Sequence, residues 1–313
     1  IAAAQSPPPR PMTFLDVQEM RSAGGVTISP DGRSALYTLS TPSWKDARSQ
    51  TDIYLVSTQT GVSSTRQLTF TKDKNETQPR WAPDGSFFIF ASNRDAAANA
   101  AGGGTQLYLM RTDGGEARKI TDTREGVSTW AFSKDGAWLI YRSGAVNEEQ
   151  LYRVAVTTLH LRPDSLTPLQ ITKHATGVGT WALSPDAKRI YFTSPDTVDK
   201  DEKARRDKRF TVDIRNTETP LASLWVHEIE ARRESRLTRD STYTVGSFRI
   251  SDDGKWVGFT GVSSNRYERN ITEQSINGDQ FLIETASGSI ERLTNNREVG
   301  ESGPSFSPDG RWV

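Results

Sequence analysis

The chain has 313 residues, enough for two ordinary domains or one large all-β or barrel domain. Its 39 Lys and Arg balance 39 Asp and Glu, so charge gives no support to a nucleic-acid surface or an acidic tail. Cysteine is absent, which excludes disulfides, thiolate chemistry and Cys-based zinc sites, and no run of about 18 apolar residues marks a membrane-spanning helix.

The chain opens on IAAAQSPPPRPMTF, without an initiator Met. Ala2, Ala3 and Ala4 followed by Gln5 read as the end of a secretory signal with an A-x-A site. Residues 1–13 are expected to be a disordered, Pro-rich leader, and the expected location is periplasmic or secreted.

From residue 14 to residue 313 the sequence repeats. A turn motif stands at Ser29 (SPDGR), Ala82 (APDGS), Ser133 (SKDGA), Ser184 (SPDAK), Ser251 (SDDGK) and Ser307 (SPDGR), at spacings of 53, 51, 51, 67 and 56 residues. A second motif tracks it: QLT at Gln67, KIT at Lys119, QIT at Gln170, RLT at Arg236 and RLT at Arg292. The middle residue of each triplet lies 14 or 15 residues before the second residue of the next turn. Two motifs that hold phase over five repeats define a period.

The turn has readable chemistry. Pro pre-sets φ for a type I turn, Asp follows, and Gly supplies the positive-φ position. Flanking residues alternate as in a half-buried hairpin, for example TWAFSKDGAWLIYRS. A third strand such as DIYLVST or QLYLMRT follows, then a Gly-containing turn, then a strand ending in the triplet. Four short strands in about 50 residues predict an all-β fold, a β-propeller of four-stranded antiparallel blades. Five repeats are complete and a sixth begins. Each blade is too small to bury its faces alone and needs its neighbours. Trp81, Trp130 and Trp181 read as one equivalent position just before the turn, with Phe248 nearby and Phe306 in the last repeat. They are expected to be inter-blade core.

Two connections are long. One includes residues 199–209, with six basic and four acidic side chains, and reads as a solvated excursion or as a loop that reaches a partner or ligand. The other runs from Gly261 to Ile283.

No catalytic residue is identified. The nearest approach to G-x-S-x-G is GESGP at Gly300, which fails at its last position and lies between blades. His160, His174 and His227 are far apart in sequence, and His227 in LWVHEIE reads as an exposed strand residue. AGGGT at Ala101 lacks the Lys-Ser/Thr of a phosphate loop and reads as a hairpin tip, and DTVDKDEK at Asp196 lacks a calcium-loop Gly. Glu148 and Glu149 read as an exposed turn. Asn75 and Asn270 fit N-glycosylation acceptors. No metal site and no cofactor is expected.

The stretch MTFLDVQEMRSAGGVTISPDGRSALYTLSTPSWKDARSQTDIYLVST, followed by RQLTF and PRWAPDGSFFIFASNRD, resembles the start of the propeller of the prolyl oligopeptidase family of serine peptidases. It is most similar to the acylaminoacyl-peptidase and dipeptidyl-peptidase-like branch, and DKRFTVDIRNTETPLASLWV resembles that branch's extended mid-propeller segment. The resemblance covers Met12 to Val313. PDG turns and LT endings also occur in the Tol-system periplasmic propeller, and the opening segment favours the peptidase.

The resemblance implies a C-terminal α/β-hydrolase domain beyond Val313 as the propeller's partner, and seven or eight blades when intact. That domain would carry the Ser-Asp-His triad, so none of its positions falls in this chain. The propeller would cover the active site and admit short peptides. Its loops would hold a substrate terminus, an amine on carboxylates or a carboxylate on arginine. Arg209, Arg215 and Glu218 are the candidates for that role. The ending SFSPDGRWV, a turn with only the first residues of its return strand, reads as an interruption within a longer protein. The alternative is a free-standing periplasmic propeller that docks protein partners. Oligomeric state stays open.

Overall fold

The structure, a computed structural model, describes residues 10–95, 104–196, 200–208, 210, 221–239, 243–263, 278–296, 298–301 and 303–313. A capped helical turn, α1 (Phe14–Gln18), precedes the first strand and buries none of its side chains. Thr13 and Asp16 form its capping box. Alternation in the repeats gives no warning of it.

Five four-stranded sheets follow, each built from four consecutive strands. The first blade comprises β1 (Ser22–Ile28), β2 (Ser34–Ser43), β3 (Arg48–Ser57) and β4 (Gly61–Gln67). The second comprises β5 (Glu76–Trp81), β6 (Phe88–Ser92), β7 (Gln106–Met110) and β8 (Arg118–Lys119). The third comprises β9 (Val127–Phe132), β10 (Trp138–Ser143), β11 (Gln150–Ala155) and β12 (Leu169–Gln170). The fourth comprises β13 (Trp181–Leu183), β14 (Arg189–Pro195), β15 (Ala222–Glu228) and β16 (Arg233–Arg236). Between β14 and β15 lies a helix, α2 (Lys200–Asp207), where the sequence suggested only an excursion. The fifth comprises β17 (Tyr243–Ile250), β18 (Trp256–Ser263), β19 (Gly278–Glu284) and β20 (Ile290–Arg292). The fold is the expected β-propeller of antiparallel blades.

Each turn motif headed by Ser is a closed hydrogen-bond circuit. The Ser hydroxyl donates to the Asp two residues on, at 2.6 Å for Ser29–Asp31, 2.6 Å for Ser184–Asp186 and 2.7 Å for Ser251–Asp253. The same Asp accepts a backbone N–H two residues further, from Arg33, Lys188 and Lys255 in these turns. The Ser oxygen accepts the N–H five residues on, closing the hairpin. Where Ala82 replaces Ser, Asp84 turns to the Ser86 hydroxyl. Hydrogen bonds to the ionised form hold these carboxylates below their usual range, with Asp253 at about 2. The Gly of the motif lies at φ near +70° in five turns, and Ala187 takes the same region at +56°.

The Thr of the second motif locks the outer strand to its neighbour. Its hydroxyl accepts a strand-three N–H in every blade: Ile53 on Thr69, Leu107 on Thr121, Leu151 on Thr172, Leu224 on Thr238 and Gln280 on Thr294. In the second and third blades it also donates to the carboxamide of Gln106 or Gln150. The first residue of the triplet supplies a donor to the same Thr's carbonyl, from Gln67, Gln170, Arg236 and Arg292. That explains why Gln and Arg recur there.

The chain forms two compact units: Ile1–Ser128 with Leu159–Leu166, and Thr129–Thr158 with Thr167–Val313. In the first, Leu36 and Ile53 of the first blade pack on Phe88, Phe90 and Tyr108 of the second. In the second unit Ile140 and Leu151 meet Ile190 and Phe192, while Leu224 and Val226 meet Val257, Phe259 and Phe281. A segment of the third repeat, Leu159–Leu166, leaves its own blade and belongs to the first unit, where Arg118 donates to the carbonyls of Leu159 and Leu161.

The aromatic residues before the turns occupy two positions, not one. Trp130, Trp181 and Phe248 stand three residues before their turns, whereas Trp81 and Phe306 stand one before. Positions one and three before a turn share a strand face, which is why the two sets read alike. The inter-blade role holds: Trp130 is 2% exposed, Trp81 Nε1 donates to Thr27 of the preceding blade, and Trp181 Nε1 to Thr129.

Candidate functional site

Arg209, Arg215 and Glu218 lie outside the described residues. What the structure describes is the roots of the long connections, at the blade ends where strand two passes to strand three.

In the second blade Glu76 is fully buried at the start of β5. Its Oε1 accepts from Ser92 Oγ and Arg94 Nη2, each at 3.1 Å. Burial pushes this carboxyl up, against the pull of Arg94. The Arg94 guanidinium lies over the rings of Tyr108, at 4.7 Å, and Phe90, at 5.3 Å. Asp95 accepts the Tyr108 hydroxyl at 2.6 Å. Desolvation and that bond push the phenol up.

In the fourth blade Asp196, at the root of the excursion, meets Arg236 Nη2 at 2.6 Å, and Arg236 Nε donates to Ser223 Oγ and to the Thr238 carbonyl. In the fifth blade Asp279 meets Arg292 at 2.5 Å. Asp196 and Asp279 each keep a buried Oδ1 without a hydrogen-bond partner among the described residues. The two connections thus meet the same device, a carboxylate fixed by the Arg of the blade's closing triplet, at the start of the first and at the end of the second.

His227 is not the exposed residue that its strand context suggested: it is 4% exposed. It shares the parity of Trp225 and faces the third blade. His174 and His227, 53 residues apart, both place Nδ1 on Glu234, at 2.9 and 3.2 Å. These imidazoles serve a carboxylate and are not bases for a hydroxyl. Two donors of this kind hold Glu234 at about 2 against the upward push of burial. Among the described residues no group of three His, Cys, Asp or Glu is placed to hold a metal ion.

Glu148 is exposed in its turn. Asn75 is held in place at its Oδ1, which accepts the Thr51 N–H at 2.8 Å, and at its backbone N–H, which donates to Asn93. Asn270 lies outside the described residues, as do residues 101–103 of AGGGT.

No family profile matches the chain. It is 36% identical over 126 residues to the uncharacterized peptidase YuxL of Bacillus subtilis, a match covering 40% of this chain and 18% of that protein. It is 23% identical over 294 residues to dipeptidyl-peptidase 5 of Porphyromonas endodontalis, covering 94% of this chain and 36% of that protein. The chain therefore spans well under half the length of these relatives. Among solved structures it is similar to puromycin hydrolase, with a TM-score of 0.58 and 14% identity over 93% of this chain and 41% of that one. The β-propeller domain of the Trilobed protease from Pyrococcus furiosus gives 0.54 and 11%, over 88% and 71%. TolB from Acinetobacter baumannii gives 0.50 and 18%, over 90% and 55%. These structural likenesses speak to the propeller fold.

Proposed function

We propose, from the premise that this chain is the propeller portion of a prolyl oligopeptidase-family peptidase, that it gates access to a serine-peptidase site and admits short peptides. The Ser-His-Asp triad would lie in a catalytic domain outside these residues. The alignment to dipeptidyl-peptidase 5 over 94% of the chain carries this reading. Export to the periplasm or exterior belongs to the same proposal, on the strength of the A-x-A leader.

The geometry supports a filter. The described blades supply rigid, locally locked walls, and carboxylates and arginines stand at the roots of the connections. Such groups can hold a peptide terminus. The test is made on the protein from its source. It is assayed with dipeptide chromogenic substrates and labelled with a serine-directed fluorophosphonate. Cleavage of short peptides but not folded protein, with label outside these residues, is expected. Absence of both cleavage and label refutes it.

A second reading, a free-standing module that docks protein partners, is favoured by the TolB likeness at a TM-score of 0.50. An unlabelled protein that binds a periplasmic partner would decide for it.

A further inference from the structure

The peptidase reading makes no use of His174, Glu234 and His227, which meet on the seam between the third and fourth blades. His174 comes from the connection after β12. Its main chain is tied to the third blade, where its N–H donates to Gln150 Oε1 at 2.9 Å and its carbonyl accepts Gln150 Nε2 at 2.8 Å. Its ring stands edge-on to Phe192 and Trp225 of the fourth blade, with centroids at 5.1 and 4.6 Å. Its Nδ1 reaches Glu234 Oε2, and His227 Nδ1 reaches Oε1 of the same carboxylate. His227 and Glu234 are direct partners in the β15–β16 register. The histidine side chains are 8% and 5% exposed, and His227 Nε2 is buried without a partner among the described residues.

A carboxylate only accepts, so both Nδ1 atoms donate to it. One proton added to the cluster makes an imidazolium with Glu234 as its counter-charge. A second has no counter-charge, and at His227 Nε2 it has no acceptor. Neighbouring charges do not change this. Arg236 of β16 is committed to Asp196, and Arg233 to Glu228 of β15. Arg153 of β11 lies over the Trp138 ring at 4.2 Å. Lys173 next to His174 and Arg189 of β14 add positive charge.

We propose that this cluster is a proton-operated joint. The closed seam accommodates one proton, the opened seam accommodates two, and mild acid loosens the contact between the third and fourth blades. The sign follows from linkage. The open state binds more protons, so the closed state gains stability as pH rises and loses it as pH falls. For one imidazole that titrates near 6.5 when released, the closed-to-open equilibrium falls about tenfold from pH 7.5 to 5.5.

The experiment uses the full protein. Urea unfolding is measured at both pH values for the wild type, His227→Asn and His174→Asn. Asn keeps a donor toward Glu234 and cannot titrate. On acidification the wild-type folding equilibrium is expected to fall about ten times further than that of either variant, because each variant keeps a single imidazole with Glu234 as its counter-charge. Equal pH dependence of the wild type and His227→Asn overturns the proposal. Should His227→Asn not fold, hydrogen exchange on the wild type decides. Protection lost at pH 5.5 in residues 222–228 but kept in 106–110, after correction for intrinsic rates, supports the joint. Uniform loss or no loss overturns it.

Discussion

Replacing Thr172 by Val tests whether the recurring Thr is a hydrogen-bonding lock or a shape. Thr172 is fully buried. Its hydroxyl accepts the Leu151 N–H at 2.9 Å and donates to Gln150 Oε1 at 2.8 Å. Val fills the same volume and leaves a buried backbone N–H with no acceptor. An unmade buried donor costs about 1–3 kcal/mol, and the lost bond to Gln150 adds about 1, so Thr172→Val should destabilise by roughly 2–4 kcal/mol. Thr172→Ser keeps both bonds and loses one methyl, about 1 kcal/mol. Urea midpoints at constant m-value rank the three proteins. The expected order is wild type, Ser, Val. A Val variant as stable as the Ser variant refutes the lock and leaves the Thr as filler.

Ala187→Gly should stabilise the protein by about 0.5–1 kcal/mol, because Ala187 sits at φ +56° where the other turns have Gly; calorimetry reads this as a raised Tm. Glu234 lies at about 2, below its ordinary value near 4.3, so its contribution is complete above that ordinary value and disappears as pH falls through about 2. Acid unfolding of the wild type should therefore steepen between pH 4.5 and 2, while Glu234→Gln, already less stable, falls less steeply in that window. Arg118→Ala removes the donor to the Leu159 and Leu161 carbonyls and should speed tryptic cleavage after exposed Arg162, seen as fragments by mass spectrometry.

The blades were legible because their signals are local. The Ser-x-Asp turn closes its circuit within six residues, and the Thr lock acts between neighbouring strands of one repeat. The Trp81 and Trp130 positions were merged because strand alternation puts residues two apart on one face. The cluster at Glu234 was not legible: its bonds join residues 7 and 60 apart on three elements. One signal was there in LWVHEIE, where His227 has the parity of Trp225 and so faces inward. The segment Leu159–Leu166 carried a similar hint, since a plain turn has no need of three leucines. The proposed substrate-terminus residues, Arg209, Arg215 and Glu218, lie in a connection that exceeds the repeat length and holds neither the turn motif nor the closing triplet, so the phase of the repeat could not place them.

The turn circuit has a consequence for how such a chain is made and remade. A hairpin whose hydroxyl, carboxylate and amide bonds all fall within six residues needs no distant partner to form. Ring-closing entropy is small, and hairpins of this size form in microseconds. Each repeat can therefore emerge during synthesis with its first two strands already paired, and assembly becomes a sequence of short steps. The same independence makes the repeat an exchangeable part. Transplanting the Ser184–Lys188 turn with Gly in place of Ala187 into the Ala82 position would carry its whole bonding circuit with it, and would supply the hydroxyl that this turn lacks. A protein built this way can be lengthened by duplication at the level of genes without a new hydrogen bond having to be invented.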